Sequence, residues 1–161
     1  MTTSEAIDQI REFAERGVVV LRQTLQNDEL NGLTECFDQA GQLTARLHYA
    51  QGLLQGEATY FSLGQLVRSC TYEAGLLHGE VLDYSLSGAL IQRAYYLHGL
   101  MHGSIERYWT NGAIMERQSF ENGRPNGPAE TFDSEGSPLQ QADQTAAEKP
   151  GLLQRLFTGN A

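Results

Sequence analysis

Lysine is almost missing: of 11 Lys+Arg residues in 161 only Lys149 is a lysine, and 20 Asp+Glu leave a net charge of −9. A chain this poor in basic charge is ill suited to tracking phosphates or anionic lipid, which argues against nucleic-acid partners and against a membrane. Long apolar runs are missing too. Val18 to Leu21, the longest aliphatic stretch near the start, is far short of the roughly 20 residues of a spanning helix. Glu5, Asp8, Glu12 and Glu15 break any signal-peptide pattern, so a cytoplasmic location is expected. The two cysteines, Cys36 and Cys70, have neither CxxC nor metal-ligand spacing and read as reduced, buried thiols. There is no Gly-x-Ser-x-Gly elbow, phosphate loop or HExxH, so no enzyme activity and no cofactor are expected.

Glycine, by contrast, is plentiful, and its placement is regular. Of 17 glycines, 15 fall on one ladder. From Gly41 the steps are 11, 4 and 8 residues through Gly52, Gly56 and Gly64, then 11, 4 and 9 through Gly75, Gly79 and Gly88. The 11, 4, 9 steps recur through Gly99, Gly103 and Gly112 and through Gly123, Gly127 and Gly136. Gly17 and Gly32 fit the same frame, with Asp28 in the remaining glycine slot. Aromatic residues keep the same period. Tyr49, Tyr72, Tyr96 and Phe120 stand three before the first glycine of each pair, and Phe37, Tyr60, Tyr84, Tyr108 and Phe132 stand four before the next opening glycine. Two residue classes on one period of 24 residues, with one unit of 23, mark an internal repeat.

The segments between glycines are too short and too rich in β-branched and aromatic residues for helices, whereas two strands joined by glycine turns fit each unit. Asn111-Gly112 and Asn122-Gly123 are hairpin signals. Side chains two apart share a face of a strand. One face therefore collects Leu43, Ala45, Leu47 and Tyr49, then Leu66, Arg68, Cys70 and Tyr72, then Leu90, Gln92, Ala94 and Tyr96. The other collects Arg22, Arg46, Arg93 and Arg117, each five after an opening glycine. The expected fold is all-β: tandem antiparallel β-hairpins in an elongated twisted sheet, roughly 50 Å long.

The run from Tyr108 through Asn111-Gly112, Asn122-Gly123 and Asn126-Gly127 to Gly136 resembles the bacterial variant of the MORN repeat, as in the YwqK family of toxin–antitoxin proteins. The resemblance extends over about residues 17–140. It implies a MORN-like sheet and an antitoxin or immunity-type protein that binds and neutralises a partner.

The ends are expected to be helical. Residues 4–16 carry Ile7, Ile10, Phe13 and Ala14 at helical spacing between Ser4 as N-cap and Gly17 as a stop, giving a helical cap over residues 1–16. A strand is the competing reading, because Phe13 also stands four before a ladder glycine. Residues 17–140 form the repeat array. Residues 141–161 read as a polar linker and a short amphipathic helical tail in which Leu153, Leu156 and Phe157 dock on the last hairpin, stay disordered or anchor in a partner's groove.

Four histidines raise the question of a metal, above all His98 and His102 around Gly99, with His78 one period before His102. No acidic third ligand shares their spacing, so no metal is expected. Glu35, Glu106 and Glu130 lie in frame opposite the arginines, which favours cross-strand ion pairing over a free anion track. Tyr95 and Trp109 fall off the aromatic register and are expected at the surface. Together with His98, Met101, Arg93 and Arg117 they form the expected contact with a protein partner, namely a toxin, an effector or a secretion component. The alternative role is an adaptor or chaperone-like accessory of a bacterial secretion or envelope machine. An uncovered edge strand leaves room for a homo-oligomer.

Overall fold

A computed structural model describes residues 8–139, which form strands and turns and no helix. The strands are β1 (Asp8–Glu15), β2 (Val18–Gln26), β3 (Glu29–Phe37), β4 (Leu43–Ala50), β5 (Leu53–Ser62), β6 (Gln65–Glu73) and β7 (Leu76–Tyr84). They continue as β8 (Leu90–Leu97), β9 (Leu100–Met101), β10 (Gly103–Tyr108), β11 (Ile114–Glu121), β12 (Arg124–Pro125) and β13 (Glu130–Thr131). All pair antiparallel in one open sheet, in chain order. β9 and β10 are two pieces of one rung beside β8, and β12 and β13 two pieces of one rung beside β11. At about 4.8 Å per rung the ribbon is roughly 50 Å long.

The expected N-terminal helix is not formed over Asp8–Glu15, which is β1. Arg16 and Gly17 both have positive φ and make a two-residue turn rather than a helix stop. An isolated short helix is marginal in water, whereas pairing with β2 sets Phe13 opposite Leu21 and lets Arg22 Nε donate to Glu12 at 2.8 Å. Asp8, Arg11, Glu12 and Glu15 charge this terminal strand, a device that discourages further strand addition. At the other end, Pro125 in β12 removes a donor from the last rung. Residues 1–7 and 140–161, which include Leu153, Leu156, Phe157 and the expected C-terminal helix, lie outside the described residues.

The two glycines of each pair play different parts. The first closes a two-residue turn, as in Gln51-Gly52, Ala74-Gly75 and His98-Gly99, and Asp28 keeps the positive φ of the slot at 63°. The second was expected in a turn but lies within the sheet. Gly32, Gly56, Gly79 and Gly103, all with positive φ, stand directly across from Tyr49, Tyr72, Tyr96 and Phe120. Each ring has Leu54, Leu77, Met101 or Pro125 across from it on its other flank. These rings share a packed face with the buried row Ala58, Cys70, Val81, Ala94 and Ile105.

The aromatics four before an opening glycine do not form a single row. Phe37 lies under the guanidinium of Arg22 and Phe132 under that of Arg117, on the opposite, charged face. Tyr60 instead packs against the buried row. The loop before Gly64 is the reason. It is the two-residue turn Leu63-Gly64, one residue shorter than the loops ending at Gly41, Gly88 and Gly112, so counting back four residues reaches the other face.

Gly79 has φ +90° and nothing within 4 Å of where a Cβ would stand, so a substitution there tests the backbone alone. Gly79→Ala is expected to cost about 1–2 kcal/mol in urea unfolding, and an unchanged midpoint would mean that φ is not positive.

Candidate functional site

Strand pairing on the charged face lines up one row across eleven rungs: Glu12, Arg22, Glu35, Arg46, Thr59, Ser69, Leu82, Arg93, Glu106, Arg117 and Glu130. Charge alternates at both ends. Arg22 Nη1 and Arg46 Nε each donate to Glu35 at 3.1 Å, and Arg117 Nε donates to Glu106 at 3.0 Å. Arg93 Nε stands 3.1 Å from Glu80, beside the row. Arg93 and Arg117, expected as partner contacts, are thus already neutralised by carboxylates.

Tyr108 Oη donates to Glu106 at 2.6 Å. That bond, ahead of the Arg117 contact, holds the Glu106 carboxyl below its ordinary range. Burial and the same carboxylate push the Tyr108 phenol up to about 12.

The packed face carries a second row: Phe13, Leu21, Cys36, Ala45, Tyr60, Arg68, Asp83, Gln92, Arg107, Glu116 and Thr131. Its first half is apolar and its second half is a polar chain. Arg68 forks onto Asp83 through Nε at 2.5 Å and Nη2 at 3.0 Å. Gln92 Nε2 donates to Asp83 at 3.3 Å, and Arg107 Nε donates to Gln92 at 3.3 Å. Arg107 and Glu116 are buried, at 7% and 8% exposure. Where the apolar half meets the polar half there is a cleft of about 590 Å³, walled by Tyr60, Tyr72, Tyr96, Arg68, Asp83 and Leu77. The hydroxyls of Tyr60 and Tyr72 are 3.4 Å apart.

Burial raises the pKa of Tyr72, Tyr96 and the Cys70 thiol, and the Tyr60 hydroxyl adds to the effect on Tyr72. At neutral pH the cleft therefore offers uncharged phenols, rings and one bidentate ion pair. Groups of this kind can engage a ligand by stacking and hydrogen bonding.

The remaining expected contacts are not gathered in one place. Tyr95, 40% exposed, is on the charged face and donates to Glu80 at 3.0 Å. Met101 is on the packed face against the buried row. Trp109, 36% exposed, donates from its indole to Phe132 O at 3.1 Å in the β10–β11 loop, on the rim opposite the His98-Gly99 turn. The His98 ring is 5.1 Å from that of His78, with Glu73 beside both, and His102 stands outside that group. The sequence reading did not single out Asp83, Arg107, Glu116 or Glu73. Asp83, Arg107 and Glu116 follow once the register is counted through each bulge, and Glu73 once two adjacent hairpin turns are laid side by side.

Residues 101–122 match a family model described as "MORN repeat variant", running from the last residue of β9 through β10 and β11 to Asn122. No curated protein matches the chain. Two solved structures are similar over part of it. One is a mutant of S. aureus TarM in complex with Fondaparinux, alpha-GlcNAc-glycerol and UDP, 13% identical over 58% of this chain and 19% of that one, with a TM-score of 0.41. The other, also titled TarM, is 15% identical over 59% of this chain and 20% of that one, with a TM-score of 0.39. This chain thus spans about a fifth of the length of either.

Two substitutions test the electrostatics. The Glu106 carboxyl is depressed, so its stabilisation is complete above the ordinary carboxylate pKa and is lost as pH falls through the folded value. From about pH 4.3 downward, Glu106→Gln is expected to lose stability less steeply than the parent in urea titrations. Asp83→Ala strips Arg68 and Gln92 of their shared acceptor and, allowing for the half-exposed Arg68, should cost about 1–2 kcal/mol at neutral pH.

Proposed function

We propose that this protein is a non-catalytic protein-binding repeat module and that the partner seats on the packed face, around Tyr60, Tyr72 and Tyr96. What carries this reading is that the sheet is a single layer. A sheet face is ordinarily covered by a second layer of structure, yet among the described residues nothing lies over this one and no large side chain is fully buried. Tyrosines beside a bidentate arginine–carboxylate pair are typical of energetically dense contacts.

The family resemblance and the net charge support one reading of the partner. A chain similar to the YwqK antitoxins is read as an immunity-type protein that sequesters a toxin, and a net charge of −9 suits a more basic target. The adaptor role depends on the tail beyond residue 140 and has no support among the described residues.

The test is affinity capture from a bacterial host with the tagged full chain, followed by titration of the captured protein. Tyr96→Ala is expected to weaken binding about 30-fold or more, the scale of an interfacial hot spot, while Arg117→Ala changes it less than about threefold. The opposite ranking places the partner on the charged face and overturns the packed-face reading. Co-expression with the captured protein separates the two roles. Growth protection that survives deletion of residues 141–161 supports neutralisation, and its loss supports a tethered adaptor.

A further inference from the structure

The geometry points to a divalent transition-metal site formed by Glu73, His78 and His98 at the turn rim where β6, β7 and β8 meet. Each residue offers one donor atom, and the three donors lie within 4.8 Å of one another. The two imidazole rings are tilted by 60° with centroids 5.1 Å apart, so neither blocks the other's edge. His78 Nδ1 is shielded from solvent and stands 3.1 Å from Glu73 Oε2, yet makes no hydrogen bond. A nitrogen held beside a carboxylate oxygen off the hydrogen-bonding direction is arranged as two ligands of one ion are. Zinc takes imidazole nitrogen at about 2.0–2.1 Å and carboxylate oxygen at about 2.0–2.2 Å, and small side-chain rotations at an exposed rim bring the donors to those lengths.

The repeat supplies its own control. One unit earlier the corresponding positions are Ala50, Gln55 and Ala74, and one unit later they are Leu97, His102 and Asn122. The turns form in all three places, so the hairpin does not require these donors. Gln55 makes a structural bond instead, accepting from the backbone N–H of Ala74 at 2.9 Å. His78 occupies the same frame position and faces a carboxylate and a second imidazole.

Two nitrogens and one oxygen suit Zn²⁺, Co²⁺ or Ni²⁺ rather than Ca²⁺ or Mg²⁺. Glu73 and His98 are exposed, which leaves a fourth position open to water or to a donor from outside the chain. Bound there, the ion ties the turn at Ala74-Gly75 to the turn at His98-Gly99, across adjacent units already joined by the β7–β8 pairing and, at this rim, by Gly99 N donating to Leu77 O at 2.8 Å.

The experiment is calorimetric titration of ZnCl₂ into the full chain freed of any histidine tag, with thermal melts alongside and MgCl₂ as the comparison cation. One zinc per chain is expected, with a higher melting temperature in zinc and no response to magnesium. His78→Gln and His98→Asn place in this unit the residues its neighbours carry, so they should fold as the parent does without metal, which circular dichroism checks. Each should weaken zinc binding at least tenfold, and Glu73→Ala should weaken it as well, while His102→Gln leaves it unchanged. Absence of saturable binding at one per chain overturns the site, and so does affinity that survives in the His98 variant or falls equally in the His102 variant.

Discussion

A ring laid across a glycine is the contact on which this sheet depends. A single-layer sheet has no second layer to cover its large side chains, so each ring must be covered from within the sheet, by its neighbours along the ribbon. Tyr72 is across from Gly56 on one flank and Leu77 on the other, and Tyr96 is across from Gly79 and Met101. The glycine has no side chain to compete for the space, and its positive φ, about 90° at both Gly56 and Gly79, bulges the strand there. The bulge accentuates local twist, and repetition at every unit turns that twist into the form of the ribbon. No unit completes this packing alone, since each ring lies against the glycine of the preceding hairpin.

The charged face fixes what ring packing leaves free. Exposed ion pairs contribute little stability individually, roughly 0.2–1 kcal/mol. Their value here is in register, because slipping β4 or β8 by one residue would turn Arg46 or Arg93 onto the packed face and Tyr49 or Tyr96 off it. The row from Glu12 to Arg46 and the row from Arg93 to Glu130 guard the two ends of the ribbon, where each rung has the least support. Between them the same positions hold Thr59, Ser69 and Leu82, in the stretch where the packed face is best filled by Ala58, Cys70 and Val81.

Most of this was legible in the sequence, because glycine with positive φ and large rings are residues whose positions a backbone dictates. The ladder found the turns, and the alternation found both faces and the ion-pairing carboxylates. Three features were not legible, each for a physical reason. The segment over Asp8–Glu15 has an apolar spacing compatible with helix, and only the free edge of β2 decides for a strand. The second glycine of each pair looks like a turn residue, and its place inside the sheet emerges only from pairing across strands. The polar chain Arg68, Asp83, Gln92, Arg107 and Glu116 takes one residue from each of five successive rungs, so no single strand displays it.

The unit of 23 residues shows how a small change in the repeat alters the packed face locally. Shortening the loop before Gly64 by one residue leaves the strand pairing intact but moves the preceding aromatic from the charged face to the packed one. Where the unit before has Cys36 and the unit after has Asp83, this unit therefore presents Tyr60. Its hydroxyl meets that of Tyr72, and its ring walls the cleft directly across from Arg68. In a regular array every unit presents the same surface, and nothing distinguishes one position along the ribbon from another. A one-residue irregularity breaks that symmetry where the packed row changes from apolar to ionic, and the cleft walled by Tyr60 lies there.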